Sequence, residues 1–417
     1  MNETQATNVT ASIESKRPGA GTLPLLTGLT ALGSVSVSIY LPSLPELSRS
    51  LHATPSMIKL SLTAFLFVFA LAQLAYGPLS DRFGRKPPIV LGLVIYVAGS
   101  LACTFAFTAP LLIGARILQA LGAAVGPALG RAVLRDFYSG AQLTYSLSII
   151  AAAVALSPML GPVLGGYLQM ALGWRSSFVF LTVCGLILVA AVLIRLPESS
   201  THIDRQGLSP KVIFDHYRAL LTDREYVAAL LCGGLLTAGN FAWTAGAPFL
   251  FSATYHFTAD RYGNIALFVG AGYVVGTFLS GLFSKRLVAP TVVYSGMSLT
   301  LGASILLNWL AWNSHSYVPI VATMFLFTVG MGVVIPLSAA CALSRHPEIA
   351  GAAAGLLGAL QILTGALGTV AISSVSSVTV TPIALILLIT VLGAFIAAYV
   401  ALLSFRRQVV STEESLA

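Results

Sequence analysis

Charge is what this chain of 417 residues has least of: 9% of them are Asp, Glu, Lys or Arg, against about 25% in an ordinary soluble domain. A water-soluble protein of this length needs far more polar surface, and a hydrophobic content of 57% points to lipid as the solvent. Cysteine is scarce as well. Cys103, Cys184, Cys232 and Cys341 stand singly in apolar runs, with no CxxC and no Cys/His cluster. That excludes a disulfide framework and a zinc site. No metal constellation, nucleotide-binding glycine loop or catalytic triad is present either, so no cofactor and no enzymatic activity are expected. The net charge of +8 gathers into no dense basic patch with interleaved aromatics, which argues against nucleic acid as a partner. The N-terminal stretch has no apolar core and does not read as a cleavable signal peptide.

What the chain has in abundance is long apolar runs. A membrane helix needs about 20 mainly apolar residues, and twelve such runs can be counted. Six lie near 22–45, 55–79, 88–108, 110–133, 144–170 and 176–196. Six more lie near 225–251, 261–283, 289–311, 317–342, 348–375 and 379–405. Open strands in lipid would leave backbone groups unpaired. Even the alternating SVSVSIYLPSLP of residues 34–45 is therefore expected to be helical, with Ser34 and Ser38 on one face and Ser36 pointing away.

The one long polar interval divides the chain into a tail (1–21), a first half (22–197), a linker (198–224), a second half (225–405) and a second tail (406–417). In the linker, Ile213, Tyr217, Leu220 and Leu221 recur at helical spacing among charged residues, as in an amphipathic helix lying on a membrane face. A short basic loop follows the second span of each half, SDRFGRKP (80–87) and SKRLVAP (284–290). Repeated halves with a site between them mark a transporter.

Twelve spans put both termini on one side. Seventeen of the 22 Lys and Arg then fall on that side, and four (Arg49, Lys59, Arg175 and Arg261) on the other. The excess marks the cytoplasmic side, so a multi-pass membrane protein is expected, with both termini in the cytoplasm. The remaining basic residue, Arg116, is deep in the fourth span, where a charge costs a few kcal/mol or more. With Gln119 one turn later, it is expected to look into a polar interior. Gly122, Gly126 and Gly130 follow at four-residue spacing, a smooth face for close helix contact.

Two further stretches invite a mechanism. In YGPLSDRFGRKP (76–87), Asp81 has no topological use in a basic loop. It can pair with Arg82 or Arg85, or face a helix N-terminus of the other half, and so bias which side is open. In ALSPMLGPVLGGYL (155–168), Pro158, Gly161, Pro162, Gly165 and Gly166 crowd one span, which suits a hinge or a close packing face. Gln73, Asn240, Trp243, Tyr273 and Gln361 are polar or aromatic residues inside spans of both halves and are candidates for a shared substrate pocket.

These stretches resemble the signature motifs of the major facilitator superfamily, in its twelve-span drug:proton antiporter branch. Gly77-x-Leu79-x-Asp81-Arg82-x-Gly84-Arg85-Lys86 is similar to the loop motif between spans two and three. Arg116-x-x-Gln119-x-x-Gly122 resembles the fourth-span motif, and Gly161-Pro162-x-x-Gly165-Gly166 the fifth-span motif of exporters. YLPSLP (40–45), PLSDRFGRKP (78–87), GAPFLF (246–251) and GAAAGLLGALQ (351–361) resemble the bicyclomycin/chloramphenicol-resistance group. The resemblance implies an all-α integral membrane protein whose twelve transmembrane helices form two six-helix bundles, rocking around a cavity open alternately to each side. It implies a latch at Asp81 and its loop neighbours, with Arg116 in the cavity near the proton-coupling acid.

That acid is missing. The group's first span usually carries Asp two residues before the tyrosine of the YLP run, and here Ser38 stands there, two before Tyr40. None of the 14 acidic residues lies in the middle of a span. Proton exchange needs a group whose protonation changes with access. Glu46 at the cavity mouth and Asp81 in the latch are the candidates; the alternative is an Arg116 that attracts an anionic or zwitterionic substrate. The expected function is proton-coupled efflux of small, mostly apolar molecules such as antibiotics, by a monomer. Transport of one specific anionic or zwitterionic metabolite, or a transport-dead sensor on the same fold, are the competing readings.

Overall fold

The computed structural model describes residues 21–199, 210–375 and 379–416, the last sixteen of these by their backbone alone. The expected tail at 1–20 and part of the linker, 200–209, lie outside the described residues, as do the side chains of the tail at 406–417. Span one consists of α1 (Thr22–Ser38), a 3-10 turn (Leu41–Ser43) and α2 (Leu44–Ser50). Then come α3 (Pro55–Phe83), α4 (Lys86–Thr104), α5 (Ala109–Ala123) continued by α6 (Val125–Phe137), α7 (Gly140–Leu172) and α8 (Arg175–Arg195). The linker carries α9 (Pro210–Thr222). The second half holds α10 (Arg224–Ala253), α11 (Ala259–Phe283), α12 (Ala289–Asn313), α13 (Tyr317–Ser344), α14 (Ala350–Ser373) and α15 (Val380–Leu416). Together they make 12 helical segments long and apolar enough to cross a membrane. The end of the molecule where α1 begins and α3 ends is called the tail end below, and the opposite one the far end.

Local chemistry sets the helix limits. Thr54 accepts the Met57 amide at 3.3 Å ahead of Pro55, a capped start with proline where its missing N–H does no harm. At the other end of α3, Gly84 has φ +86°, which glycine adopts without strain. The prolines of YLPSLP interrupt span one. α1 stops at Ser38 and the 3-10 turn follows, so the expected continuous helix over 34–45 is broken from 39 to 43.

Small residues let the helices approach. A Cβ on Gly122, Gly126 or Gly130 would overlap Gly92 and Tyr96 of α4, Leu29 of α1, and Thr30 of α1, respectively, which is the close contact their spacing suggests. α7 works on two faces. Gly161 and Gly165 lie against Ser38 and Ile39, where α1 ends. Gly166 meets the backbone of Ala259 and Asp260 across the boundary between the halves, and Gly263 of α11 meets Pro162. Both prolines sit inside an unbroken helix.

At the tail end the second half carries a knot of charge. Asp223 caps α10 by accepting the Glu225 amide at 2.9 Å. Its Oδ2 also lies 3.2 Å from Arg345 Nε and 2.9 Å from His346 Nε2. Arg345 pairs with Glu225 as well. Partial burial pushes the Asp223 carboxyl up, but the Glu225 amide, His346 and Arg345 outweigh it and hold it below its ordinary value of 3.8. Beside this knot, Leu220 of α9 is buried with Tyr226, Ala353 and Leu356. The linker helix is thus seated on the second half through Leu220 and Tyr217, and is not only a surface float; Phe214 and Leu221 remain exposed.

Two outcomes are expected. Gly165→Ala has no space and should lower unfolding stability by roughly 1–3 kcal/mol, while Gly281→Ala, with nothing within 4 Å, should be neutral or slightly stabilising. Thermal unfolding in detergent compares the two, and equal effects would refute the packing argument. Asp223→Asn should destabilise at pH 7 by about 1 kcal/mol, since asparagine keeps the cap but not the charge. A lowered carboxylate stabilises above its unfolded value and loses that contribution as pH falls through its folded one. The gap between variant and parent should therefore close below pH 3.8, and a gap that persists there would place its origin elsewhere.

Candidate functional site

A cavity of about 680 Å³ lies between the halves. Its wall is mostly apolar, with Phe69, Phe241 and Trp243 as its large rings outside the tyrosines. At the far end it stops at Leu41 and Tyr262, where the 3-10 turn packs on α10 and α11. Toward the tail end it continues past Leu147 to Arg131.

The expected pocket residues divide. Asn240, Trp243 and Tyr273 line the cavity. Ser34 and Ser38 do so too, and Ser38 donates to the Ser157 carbonyl at 3.1 Å. Gln73 and Gln361 do not: Gln73 lies against Gly358 of α14, and Gln361 against Gly233 of α10. They are helix-interface groups, with Gln73 Oε1 and Gln361 Nε2 both buried without a hydrogen-bond partner among the described residues.

Arg116, expected in the cavity, is outside it. It is fully buried within the first half, with its guanidinium 4.2 Å from the Tyr40 ring and 4.1 Å from the Phe65 ring. Nη1 donates to the Ser36 carbonyl at 3.0 Å and to Gln119 Oε1 at 2.6 Å. Gln119 in turn donates to Ser100 Oγ at 2.8 Å, and Ser36 Oγ lies 2.8 Å from the Tyr96 hydroxyl. The charge is held by two aromatic faces and by oxygen dipoles. Ser36, on the side of α1 away from the cavity, belongs to this network. Tyr40 and Gln119 are inside it and do not touch the cavity.

Glu46 does not line the cavity either. The 3-10 turn at Leu41–Ser43 separates α2 from α1, and Glu46 bonds Arg49 at 3.0 Å. Among the described residues no acidic side chain lines the cavity, and Arg131 is the one charged side chain that does. Sequence reasoning missed Arg131 by counting it with the loops. The signal was its position inside the apolar run 110–133, and α6 runs on past it to Phe137.

The loop motif is tied up within the first half. Arg85 Nη1 donates to Asp81 at 2.8 Å and to Ser80 at 2.5 Å, and Nε to Asp136 at 3.2 Å. Arg82 lies over the Phe83 ring instead. Glu198 accepts the Arg85 and Lys86 amides at 2.8 and 3.0 Å, so a remote carboxylate caps α4. Lys86 Nζ returns the contact by donating to the Leu193 carbonyl of α8 at 3.0 Å. A Cβ on Gly84 would press on Glu198. Glu198 and Ser199, read as the start of the linker, thus belong to the first half's tail end.

Among the described residues, two side-chain bonds join the halves at the far end. Lys59, read as a loop cation, is buried in the first turn of α3. Its Nζ donates to the Ile372 carbonyl at 3.1 Å, in the last turn of α14, and lies 5.7 Å from the Phe249 ring. One turn along, the Thr63 and Thr369 hydroxyls are 2.7 Å apart.

Comparisons with known proteins agree with this architecture. The Chloramphenicol resistance protein of Pseudomonas aeruginosa is 30% identical over 85% of this chain and 84% of its own length. The Bicyclomycin resistance protein homolog of Haemophilus influenzae is 28% identical over 81% and 85%. Multidrug resistance protein D of Escherichia coli is also 28% identical, over 81% and 85%. Among solved structures, a bacterial homolog of the human lysosomal transporter Spinster superposes with a TM-score of 0.72 at 16% identity, over 92% of this chain and 96% of that one. A D-xylose-proton symporter gives 0.72 at 14% identity, over 89% and 96%. With residues 26–369 matching the family profile, the chain belongs to the Major Facilitator Superfamily.

Proposed function

We propose that the protein is a secondary efflux transporter, which moves small, mostly apolar molecules, antibiotics among them, out of a bacterial cell by alternating access. The observation that carries this reading is the cavity of about 680 Å³, shared by both halves, closed at one end and extended toward the other. That volume suits a drug-sized molecule. The names of the relatives from Pseudomonas aeruginosa and Haemophilus influenzae support the same substrate class. A single chain supplies both walls, which supports a monomer as the working unit.

We take the tail end as cytoplasmic, because seventeen of the 22 Lys and Arg fall on that side and such an excess marks the cytoplasm. The cavity then faces the compartment from which an exporter loads. In this state Asp81 holds Arg85. When the tail end closes, it exchanges that partner for the second half, which can approach over Gly77, where a side chain would meet nothing within 4 Å. Arg82, Gly84, Arg85 and Lys86 shape this latch. Pro158, Pro162 and the glycines at 161, 165 and 166 keep α7 closely seated on both α1 and α11 while the halves rock. With no acid on the cavity wall, Asp81 is the candidate carrier of proton coupling. At the far end, Lys59 and Thr63 are the bonds that must break for release.

Expression in a bacterial host stripped of its own pumps should raise resistance to chloramphenicol or bicyclomycin over empty vector. No change for either drug, with protein present in the membrane, would count against drug export. Lys59→Met should weaken far-end closure by removing a cation from a helix C-terminus, where such a contact is worth up to ~2 kcal/mol. A reporter Thr369→Cys, in a background without the four native cysteines, should then react faster with a membrane-impermeant maleimide from outside. Unchanged labelling would remove Lys59 from the gate.

A further inference from the structure

The chemistry of the cavity wall is lopsided. Thirty residues line it, and among them stands one charge, Arg131, with no aspartate, glutamate, lysine or histidine. Arg131 is on α6, six residues before the helix ends at Phe137, which places it about 9 Å inside that end at ~1.5 Å per residue. Its side chain is exposed on the cavity wall. Among the described residues it has no ion-pair or hydrogen-bond partner, whereas Arg85 and Arg345 are each held by two acids. Arg135, one turn further on the same helix face, adds a second positive charge beyond the cavity's edge.

We propose that Arg131 is the specificity-determining residue of the cavity, binding an anionic group on the substrate while the substrate's apolar or aromatic body lies against Phe69, Phe241 and Trp243. The proposal rests on the cavity being the substrate site, as argued above, and adds the sign of the charge that the site accepts. A guanidinium presents a planar fork that fits a carboxylate, phosphate or sulfonate with two parallel hydrogen bonds. The surrounding wall is apolar, so the field of the charge is poorly screened once a ligand displaces water. A cationic ligand meets that field with no carboxylate to offset it. A neutral ligand neither gains nor loses from it, and binds through area and through Asn240, Tyr273 and the hydroxyls. The order of preference is therefore anion, then neutral molecule, then cation.

Equilibrium binding to the full-length protein in lipid nanodiscs tests this without transport. Three probes suffice: chloramphenicol, its anionic succinate ester and the cation tetraphenylphosphonium. The succinate ester is expected to bind at least about tenfold more tightly than the neutral parent, the equivalent of ~1.4 kcal/mol. Arg131→Gln should abolish that difference and leave the affinity for the neutral parent unchanged, Arg131→Lys should keep part of it, and Arg135→Gln should change it little. Equal binding of neutral and anionic probes, a preference for the cation, or an equal loss of all three in Arg131→Gln would overturn the assignment. If none of the three binds, the reading of the cavity as a substrate site falls, and this assignment with it. If export is seen in cells but charge makes no difference to binding, this assignment fails alone.

Discussion

A buried guanidinium with no carboxylate partner among the described residues ties together the helices of the first half. Burying an ion in a lipid-embedded bundle carries a penalty of several kcal/mol. Arg116 meets it with two ring faces, one carbonyl and one amide oxygen, while its Nε and Nη2 stay without hydrogen bonds. The groups that hold it come from α1, α3 and α5, and through Ser100 and Tyr96 they reach α4. Tyr40, one of the two rings, also packs on Phe178 of α8 at 5.9 Å. No element of this set can shift without exposing the charge to apolar surroundings. The first half is accordingly expected to move as a unit, with its internal geometry kept.

That constraint assigns the flexibility to the boundary between halves, and the bonds there are distributed unequally. At the far end, α7 and α11 touch backbone to backbone through Gly166 and Gly263, and Lys59 reaches across to Ile372. At the tail end the ion pairs among the described residues lie within each half. Arg85 serves Asp81 and Asp136 in the first half, and Arg345 serves Asp223 and Glu225 in the second. With the tail end apart, each of these pairs is made inside one half. The second half's knot is not the counterpart of the first in sequence. It forms around residues 223–225 and 345–348, while the loop at 284–290, the apparent repeat of 80–87, contributes none of these pairs.

How much of this was readable beforehand depended on whether a residue's neighbours were near in sequence. The spans were legible because length and apolarity belong to each run by itself, and the glycine faces at 122–130 because i, i+4 spacing is local. Arg116 was misplaced because its own helix gives no hint of the rings that enclose it; Tyr40 and Phe65 arrive from 76 and 51 residues upstream. A charge in a span is by default a functional group, and here that default met aromatic faces instead of a cavity. Arg131 was misplaced for the opposite reason. It stands near a helix end, where basic residues are common for topological reasons, and its place inside the apolar run 110–133 does not by itself say which way it faces. Glu46 failed because two prolines turn the chain between it and Ser38, and a helical count across them has no meaning.

Ser38 joins the questions of energy and selectivity. The resemblance puts an acid at this position, on the cavity wall, where it would carry protons and also repel anions. A hydroxyl here is well suited to its surroundings, since it donates to the Ser157 carbonyl, and an ionised carboxylate cannot donate. Replacing one by the other changes two properties together: the wall loses its titratable group, and the charge that remains on it is that of Arg131. A cavity that binds cations needs the acid for affinity as well as for coupling, so losing it would disable both. A cavity that binds anions is improved in affinity by the same loss, because a negative neighbour no longer opposes the guanidinium. On the proposal that Arg131 takes an anion, the substrate supplies the negative charge that the cavity wall lacks.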